Sequence, residues 1–379
     1  MGLVQLTEDY PWDAVAPYAQ QARAHPDGIV DVSIGTPVDE TPAVVQRALQ
    51  EAANAPGYPL SSGSPELREA ISDWYARVRG VRGLDPDAVL PTIGSKELVA
   101  LLPSLLSIGP GDVVVLPTTA YPTYAVGAQL AGAQVLLADD VDQWAGNSAV
   151  KLVWLNSPSN PTGAVLGIEV LAEVVRAARD LGAVVASDEC YAPLGWDVPW
   201  NLEPVPSLLD ERVNEGSHQN LLAAYSLSKQ SNMAGFRAAF LAGDGGLISR
   251  LLLMRRHMGM IVPAPVQAAM IAALQDDEHV AAQREVYRAR RESLRPALEH
   301  AGFTIDNSEA GLYLWVRPAA ELALAGQDCW GLMDTLARRG ILAGPGAFYG
   351  AAGAGHVRIS LTASDERIAA AAQRLTDDS

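Results

Sequence analysis

Short apolar runs alternate with amphipathic stretches across the middle of the chain, and this alternation constrains the fold more than any other feature. The predicted strands are 112–117, 133–138, 150–155, 183–187, 221–226 and 237–242, and the predicted helices are 95–107, 122–131 and 167–181. Apolar strands separated by helices are typical of an α/β layer whose mostly parallel sheet is buried on both faces. A short segment joins the last two strands, so they could pair in either direction.

The chain has a different pattern after residue 245, where helices precede short strands. The predicted elements are helices over 246–258, 264–275 and 278–300, a strand pair near 303–316, a helix over 329–339, strands near 341 and at 356–361, and a final helix from 364. Because 379 residues exceed one ordinary core, we predict two domains. A large domain covers 41–277, a smaller α+β domain covers 278–379, and residues 1–40 form an N-terminal arm that belongs partly to the small domain.

Charge and residue usage narrow the classes of function. The chain has 27 basic and 44 acidic side chains and a formal net charge of −17, which disfavours binding to nucleic acid or to an anionic membrane surface. Cys190 and Cys329 show neither metal-ligand spacing nor a disulfide framework, so we expect a cytoplasmic protein without a metal site. Lysine occurs only at positions 96, 151 and 229, which leaves three candidates for lysine chemistry.

Four polar turns lie at strand ends or helix starts of the predicted sheet, where α/β proteins bind ligands. The turns are 93–96 (IGSK), 156–163 (NSPSNPTG), 187–191 (SDECY) and 226–229 (SLSK), the last followed by Arg237. Each turn alone has an ordinary explanation as a helix cap, a turn former or a solvated surface group. Their occurrence in one sheet, with a scarce lysine in the last turn, favours a shared ligand site.

The side chains of these turns suit a phosphorylated aldehyde cofactor. Lys229 can form a Schiff base with an aldehyde, and Asp188 can pair with a protonated pyridine nitrogen. Asn160 and Tyr191 can donate hydrogen bonds to a ring phenolate. The candidate phosphate ligands are Ser95, Lys96, Ser226 and Arg237.

At this point the chain resembles a known family, the fold-type I, pyridoxal-phosphate-dependent aminotransferases of class I/II. The matching motifs are 33–37 (SIGTP), Tyr58 with Gly63 and 67–68 (LR), 157–163 (SPSNPTG), 188–191 (DECY), 226–229 with Arg237, 311–315 (GLYLW) and 356–360 (HVRIS). The resemblance implies the aspartate aminotransferase-like fold, with pyridoxal 5′-phosphate as cofactor and with amino acids and 2-oxo acids as substrates.

The resemblance also implies a role for each residue around the cofactor ring. Lys229 would be the Schiff-base lysine and the acid–base group that moves a proton between the substrate Cα and the cofactor C4′. Asp188 would hold the pyridine nitrogen, and Asn160 and Tyr191 would bond the ring oxygen. Tyr121 would stack on the ring face. Of these residues, Lys229, Asp188 and Tyr191 would be catalytic.

Further residues match the family at the substrate and at a subunit interface. Arg358 would clamp the substrate α-carboxylate, with Asn160 beside it and Gly35 covering the same site. Tyr58 would reach the cofactor phosphate of a neighbouring subunit. This role implies a homodimer with shared active sites.

Several longer segments are similar to the bacterial N-succinyldiaminopimelate aminotransferases. These segments are 187–191, 228–235, 257–265 and 308–313. The similarity implies a ping-pong reaction of lysine and meso-diaminopimelate biosynthesis, in which glutamate converts the cofactor to pyridoxamine phosphate and the amine passes to N-succinyl-2-amino-6-ketopimelate. Such a substrate carries several carboxylates and needs a second cationic contact. The candidates for it are Arg255, Arg256, Lys96 and the loop 257–265.

Three other functions compete with this interpretation. The nearest is another class I/II aminotransferase, acting on aspartate or on aromatic or neutral amino acids. A lyase or synthase of the same fold would share the cofactor residues and differ in the side-chain pocket. A transcription regulator with an aminotransferase-like domain is disfavoured, because the acidic chain offers no room for a DNA-binding segment ahead of residue 30.

Overall fold

The computed structural model describes residues 11–320 and 326–377, so residues 1–10 of the predicted N-terminal arm lie outside the described residues. The α-helices are α1 (Ala16–Arg23), α2 (Ala43–Glu51), α3 (Pro65–Val78), α4 (Ser95–Leu105), α5 (Thr123–Ala131), α6 (Ile168–Leu181), α7 (Glu211–Asn214), α8 (Gly245–Met258), α9 (Ala264–Gln275), α10 (Glu278–His300), α11 (Cys329–Arg338) and α12 (Asp365–Thr376). The strands are β1 (Val30–Asp31), β2 (Val89–Ile93), β3 (Val113–Leu116), β4 (Gln134–Leu137), β5 (Val150–Asn156), β6 (Val184–Asp188), β7 (Leu221–Ser226), β8 (Ala238–Gly243), β9 (Phe303–Asp306), β10 (Tyr313–Pro318), β11 (Ile341–Leu342), β12 (Gly344–Pro345) and β13 (Val357–Ser360).

A seven-stranded sheet, here called the large sheet, has the strand order β2-β8-β7-β6-β5-β3-β4. Strands β3 to β7 run parallel, whereas β8 is antiparallel to both β7 and β2. The α/β prediction is therefore confirmed, and the direction left open for the last two runs is antiparallel. The connection 227–237 contains no crossover helix, and a parallel return would need a longer one.

Helices cover both faces of the large sheet, so its strands are buried on both sides. Val185 of β6 packs in the core under α3, α6 and α9, whereas its neighbour Ala186 packs in the core under α4 and α5. The alternation of side chains along a strand explains why adjacent residues enter different cores. This double burial accounts for the continuous apolar runs in the sequence.

Some elements were missed by the sequence patterns. Strand β2 contains Pro91, which weakens a strand prediction; it lies at the edge of the large sheet, where proline is tolerated. Helix α3 begins with Pro65 after the cap Ser64, whose side chain accepts a hydrogen bond from the Leu67 amide. Helices α1 and α2 were also missed, and α1 lies in the segment predicted to be an N-terminal arm.

A four-stranded antiparallel sheet, here called the small sheet, has the order β12-β13-β10-β9. Its core also includes Ala19 and Ala22 of α1 and residues of α10, α11 and α12. Strand β1 pairs in parallel with β11, so part of the N-terminal segment packs on this smaller unit. The large sheet lies within the predicted range 41–277 and the small sheet within 278–379; the domain boundaries themselves stay a prediction.

The carboxyl ends of β5, β6 and β7 meet at one edge of the large sheet. Asn156, the last residue of β5, is directly opposite Asp188, the last residue of β6. Asp188 is in turn opposite Ala224 of β7, two residues before Ser226. The fold therefore brings three of the predicted polar turns to the same place.

Candidate active site

Asp188 forms the deepest part of the site at this edge. Its carboxylate accepts hydrogen bonds from the Tyr124 hydroxyl at 3.1 Å and from the Cys190 amide at 3.2 Å. Burial raises the pKa of Asp188, although the hydrogen bonds from Cys190 and Tyr124 oppose this effect. Among the described residues no cationic side chain forms a salt bridge with it, and a protonated ring nitrogen would supply the missing positive partner.

Tyr124 is a site residue to which the sequence analysis gave no role. Its ring stacks on Trp154 of β5, with ring centroids 4.8 Å apart, and this contact fixes the hydroxyl over Asp188. Tyr121, predicted to stack on the cofactor ring, is half-buried next to it, with centroids 5.8 Å apart. The available signal was a second tyrosine close to Tyr121, at the start of the helix that follows it.

Asn156 is a second residue without a predicted role. Its side chain accepts a hydrogen bond from the Asn160 amide at 2.7 Å and donates one to the Asp188 carbonyl at 2.9 Å. Asn156 thus holds the turn after β5 to the turn after β6. A buried polar residue at the end of an apolar strand was the signal that could have identified it.

Arg358 lies in the middle of β13 and is buried, with only 4% of its surface exposed. The guanidinium donates to Asn160 Oδ1 and to the Ser33 carbonyl, each at 2.8 Å, while its Nε has no hydrogen-bond partner among the described residues. It lies 4.0 Å from the ring centroid of Tyr313 and 5.0 Å from that of Tyr349. Such a buried, oriented guanidinium is suited to bind a carboxylate.

Lys229 is half-buried in the turn after β7, and its ammonium donates a hydrogen bond to the Gly35 carbonyl. Tyr191 lies in the turn after β6, and its hydroxyl is 3.1 Å from that of Tyr313. Burial raises the pKa of Tyr191 well above its ordinary value. The structure therefore brings together Lys229, Tyr191, Gly35 and the arginine-stacking Tyr313.

The predicted phosphate ligands lie at the start of α4 and beside β8. Gly94 precedes Ser95 with a φ of 74°, and a Cβ there would overlap the Arg237 guanidinium, which crosses this point. The first amides of α4, those of Ser95 and Lys96, face no preceding helical turn and can bind an anion. Arg237 is exposed, which suits a ligand approached from solvent.

Two further groups connect the phosphate and ring regions. Ser226 is buried, and its hydroxyl donates to the Ser228 hydroxyl at 2.8 Å, so Ser228 is a candidate phosphate ligand that the sequence analysis missed. Cys190 Sγ lies 3.9 Å from Ser95 Oγ. The donors of both regions thus form one continuous site.

Some predicted residues lie elsewhere. Tyr58 is 100% exposed and does not contact this chain's own site. Arg255 is fully buried, and its guanidinium bonds the Glu97 carboxylate at 2.6 and 3.1 Å, so its candidacy as a second carboxylate contact is wrong. Glu97 also accepts from the Ile93 amide at 3.1 Å, which fixes the turn before α4. Arg256 and Lys96 are exposed.

The arrangement fits pyridoxal 5′-phosphate. A buried carboxylate without a cation, an amine, two donors for a ring oxygen and an anion-binding turn match the parts of this cofactor. The unpartnered Arg358 Nε offers a donor for a substrate carboxylate beside them. None of the helices that the structure describes combines the length and apolar character of a membrane span.

Comparison with known proteins identifies relatives along almost the whole chain. Residues 27–375 match the model of the family "Aminotransferase class I and II". The chain is 54% identical to the 4-dedimethylamino-4-oxo-anhydrotetracycline transaminase OxyQ of Streptomyces rimosus, over 97% of this chain and 99% of that protein. It is also 54% identical to the probable aminotransferase Rv1178 of Mycobacterium tuberculosis, over 97% and 85% of the two chains. An LL-diaminopimelate aminotransferase of Dehalococcoides mccartyi is 34% identical over 92% and 90%.

Solved structures give the same result for the fold. A probable N-succinyldiaminopimelate aminotransferase from Thermus thermophilus superposes with a TM-score of 0.85 at 30% identity, covering 96% of this chain and 99% of that one. A Thermus thermophilus aspartate aminotransferase mutant has a TM-score of 0.85 at 26% identity, covering 99% of both chains. The protein is therefore a class I/II aminotransferase, a pyridoxal 5′-phosphate-dependent enzyme with the aspartate aminotransferase-like fold.

Proposed function

We propose that the enzyme is an N-succinyl-L,L-diaminopimelate:2-oxoglutarate aminotransferase of lysine and meso-diaminopimelate biosynthesis. Similarity to the Thermus thermophilus protein and to the LL-diaminopimelate aminotransferase supports this substrate class. The observation that carries the proposal is the buried Arg358, which offers an oriented guanidinium for the α-carboxylate of an amino acid. Glutamate and the succinylated substrate both carry such a carboxylate.

When bound, the cofactor supplies an electron sink and carries the amino group from one substrate to the other in a ping-pong exchange. We propose that Asp188 holds the proton on the ring nitrogen, because a buried carboxylate is stabilised by that positive charge. Lys229 Nζ would take the proton from the substrate Cα and return it at the cofactor C4′. Tyr191 and the side-chain NH2 of Asn160, whose Oδ1 accepts from Arg358, would donate to the ring oxygen.

The remaining groups hold the cofactor in place. Tyr121 stacks on the ring face, and its half-buried position above Tyr124 supports this role. The phosphate ligands that we propose are Ser95, the Lys96 amide, Ser226 and Arg237. Gly35 closes the site over Lys229, since its carbonyl accepts a hydrogen bond from the lysine Nζ.

A second candidate function follows from the 54% identity with OxyQ, whose name describes transamination of a 4-oxo-anhydrotetracycline. An acceptor of that kind needs a wide pocket and has no α-carboxylate for Arg358. A glutamate donor would still use the arginine in the other half-reaction. Aminotransferases for aspartate or for aromatic or neutral amino acids, and a lyase of the same fold, are the further alternatives.

The distal carboxylates of the proposed substrate require a cation other than Arg358. With Arg255 paired with Glu97, the candidates that remain from the sequence are the exposed Lys96 and Arg256 and the loop 257–265. Lys96 lies close to the site, since its ammonium is 6.0 Å from the centroid of the Tyr121 ring. We therefore favour Lys96 as the contact.

We also propose a cytoplasmic homodimer with shared active sites. Tyr58 is fully exposed in the single chain, as expected for a side chain that reaches the phosphate of the partner's site. Cys190 and Cys329 are buried free thiols, which suits a reducing compartment. Sedimentation of the loaded enzyme tests the dimer. Tyr58→Phe should weaken cofactor binding although the residue is remote from its own site, and a monomer with unchanged binding would contradict both points.

The substrate is tested by single-turnover absorbance of the cofactor-loaded enzyme. Addition of N-succinyl-L,L-diaminopimelate or of glutamate should each discharge the visible band, and 2-oxoglutarate should restore it. Aspartate and an aromatic amino acid are the comparison substrates, and the oxo-anhydrotetracycline with glutamate tests the second candidate. Fast reaction with aspartate or aromatic amino acids and none with the succinylated compound would refute the proposal. Preferential turnover of the ring ketone would favour the OxyQ-like function.

A further inference from the structure

Tyr313 is a buried residue of the site for which neither the mechanism above nor the family motifs give a role. It is the first residue of β10, is 4% exposed and lies opposite Ser360 of β13. Its ring covers the Arg358 guanidinium, while its hydroxyl extends past the arginine toward Tyr191 and Lys229. Stacking on Arg358 needs only the ring, so the hydroxyl requires a separate explanation.

The bound cofactor determines which hydroxyl donates in the hydrogen bond between Tyr191 and Tyr313. The two hydroxyl oxygens of Tyr191 and Tyr313 are 3.1 Å apart, and either could donate in the isolated chain. When Tyr191 donates its proton to the ring oxygen, its own oxygen can only accept. Tyr313 is then the donor, and the bonds run from Tyr313 to Tyr191 to the ring oxygen.

The charges around Tyr313 favour it as the donor. Burial raises its pKa, but the positive charges of Arg358 and Lys229 together with the hydrogen bond to Tyr191 outweigh burial, so the pKa of Tyr313 lies below its ordinary value. The pKa of Tyr191 is raised, because burial and the interaction with Tyr313 both act against its ionisation. The other titratable groups that face Tyr313 among the described residues are Cys190, from the turn that carries Tyr191, and the phenols of Tyr121, Tyr287 and Tyr349. The more acidic phenol is the stronger hydrogen-bond donor.

The backbone at Gly35 leaves space for the Tyr313 hydroxyl. A Cβ at Gly35 would overlap the Tyr313 hydroxyl and ring, so the segment that closes over Lys229 leaves space for this phenol. Gly35 also accepts the Lys229 hydrogen bond through its carbonyl. The phenol thus lies between the closing segment, the lysine and Tyr191.

We propose that Tyr313 is a positioning residue that acts through Tyr191: its hydroxyl donates to the Tyr191 oxygen and strengthens the hydrogen bond from Tyr191 to the cofactor ring oxygen. The inference depends on the role proposed above for Tyr191. As a consequence, the cofactor ring oxygen and the Lys229 nitrogen bind the proton between them more weakly, and the pKa of that proton is lower. Tyr313 thereby tunes the cofactor through Tyr191.

The test is a pH titration of the visible absorbance of the cofactor-loaded enzyme, in the absence of substrate. Tyr313→Phe keeps the ring over Arg358 and removes only the hydroxyl. Loss of the hydrogen bond from Tyr313 to Tyr191 should raise the absorbance midpoint by about 0.5–1 pH unit. The KM for glutamate should change less than about threefold, because the arginine keeps its aromatic cover.

Tyr191→Phe and the double variant separate the relay from a direct effect. Tyr191→Phe should raise the midpoint by more than Tyr313→Phe does, and adding Tyr313→Phe to it should cause no further shift. Tyr75→Phe is the matched control, because it removes a buried hydroxyl without a hydrogen-bond partner in the core of the large sheet. Its midpoint should equal that of the parent enzyme.

Each other outcome overturns the proposal in a distinguishable way. A lower midpoint in Tyr313→Phe would mean that Tyr191 donates to Tyr313 in the parent enzyme, and an unchanged midpoint would mean that the hydroxyls are not coupled to the ring. Equal shifts of Tyr313→Phe in both backgrounds would show that it acts independently of Tyr191. If Tyr191→Phe itself has no effect, the proposed role of Tyr191 fails and the relay fails with it.

Discussion

Two walls of the active site are built on different principles. The large-sheet wall consists of Asn160, Asp188 and Lys229, in turns after parallel strands at the carboxyl edge of that sheet. The small-sheet wall consists of Tyr313 and Arg358, which lie on the adjacent antiparallel strands β10 and β13. Hydrogen bonds join the walls where Arg358 meets Asn160 and where Tyr313 meets Tyr191 of the large-sheet turn.

The difference indicates a division of work between the walls. The turns of the large-sheet wall offer an amine, a carboxylate and anion-binding amides, which are the groups that cofactor chemistry needs. The strands of the small-sheet wall offer a rigid, buried guanidinium between aromatic rings, which is suited to recognition of a substrate carboxylate. Substitutions in the first wall should affect the chemical step or the cofactor, and substitution of Arg358 in the second should affect substrate binding. The Tyr313 hydroxyl is the exception, because it contacts Tyr191 of the large-sheet turn.

The largest effect is expected for Asp188→Asn. This change keeps the shape of the side chain but removes the negative charge that holds the ring nitrogen protonated, so kcat should fall about 100- to 1000-fold. Stopped-flow measurement of the glutamate half-reaction reports this step directly. The matched control is Asp142→Asn, an exposed carboxylate far from the site, which should leave kcat unchanged. A fully active Asp188→Asn enzyme would remove the charge argument for the large-sheet wall.

Arg358→Lys should have the next largest effect and should act on substrate binding. A lysine cannot keep the bonds to Asn160 and Ser33 and also bind a carboxylate through two parallel donors, so kcat/KM should fall about 100-fold, mainly through KM. Steady-state kinetics with glutamate as the varied substrate measure the split. Arg317→Lys on the same sheet is the control, since its guanidinium pairs with Asp306. A loss confined to kcat would contradict the division between the walls.

Arg237→Gln should weaken cofactor binding without slowing the loaded enzyme. The guanidinium is exposed, so solvent screens its interaction with a phosphate, and the cofactor dissociation constant should rise about tenfold. Fluorescence titration of the cofactor-free protein measures this constant, and the difference from the parent should shrink at high salt. Arg250→Gln, an exposed arginine of α8, is the control. A reduced kcat at saturating cofactor would be evidence against a purely phosphate-binding role.

Tyr124→Phe should give the smallest effect. The variant keeps the stack on Trp154 and removes one of the hydrogen bonds to Asp188, while the Cys190 amide still donates. The loss of a single hydrogen bond should lower kcat roughly two- to tenfold. The same stopped-flow assay compares it with Asp188→Asn. An effect as large as that of Asp188→Asn would mean that the tyrosine is essential to the charge state of the carboxylate.

Much of the fold could be predicted because strand and helix signals are local. Each predicted strand from 112–117 to 237–242 is present within a residue or two, and the long helix 278–300 has the predicted bounds. Strand β2 was missed because Pro91 is acceptable only at a sheet edge, and the edge position is not encoded in five residues. The direction of β8 was likewise decided by pairing and not by its own sequence.

The sequence by itself determined which residues are available for the chemistry. Lys229, Asp188 and Asn160 follow apolar strands, and because parallel strands end at a common edge, their proximity followed from the pattern. Only the tertiary structure decided the partners: Tyr124 and Asn156 brace Asp188, Tyr313 meets Tyr191, and Arg255 is committed to Glu97. These contacts join residues that are mostly far apart in the chain, and whether a buried polar side chain is a ligand or a brace depends on which partner the packing brings to it.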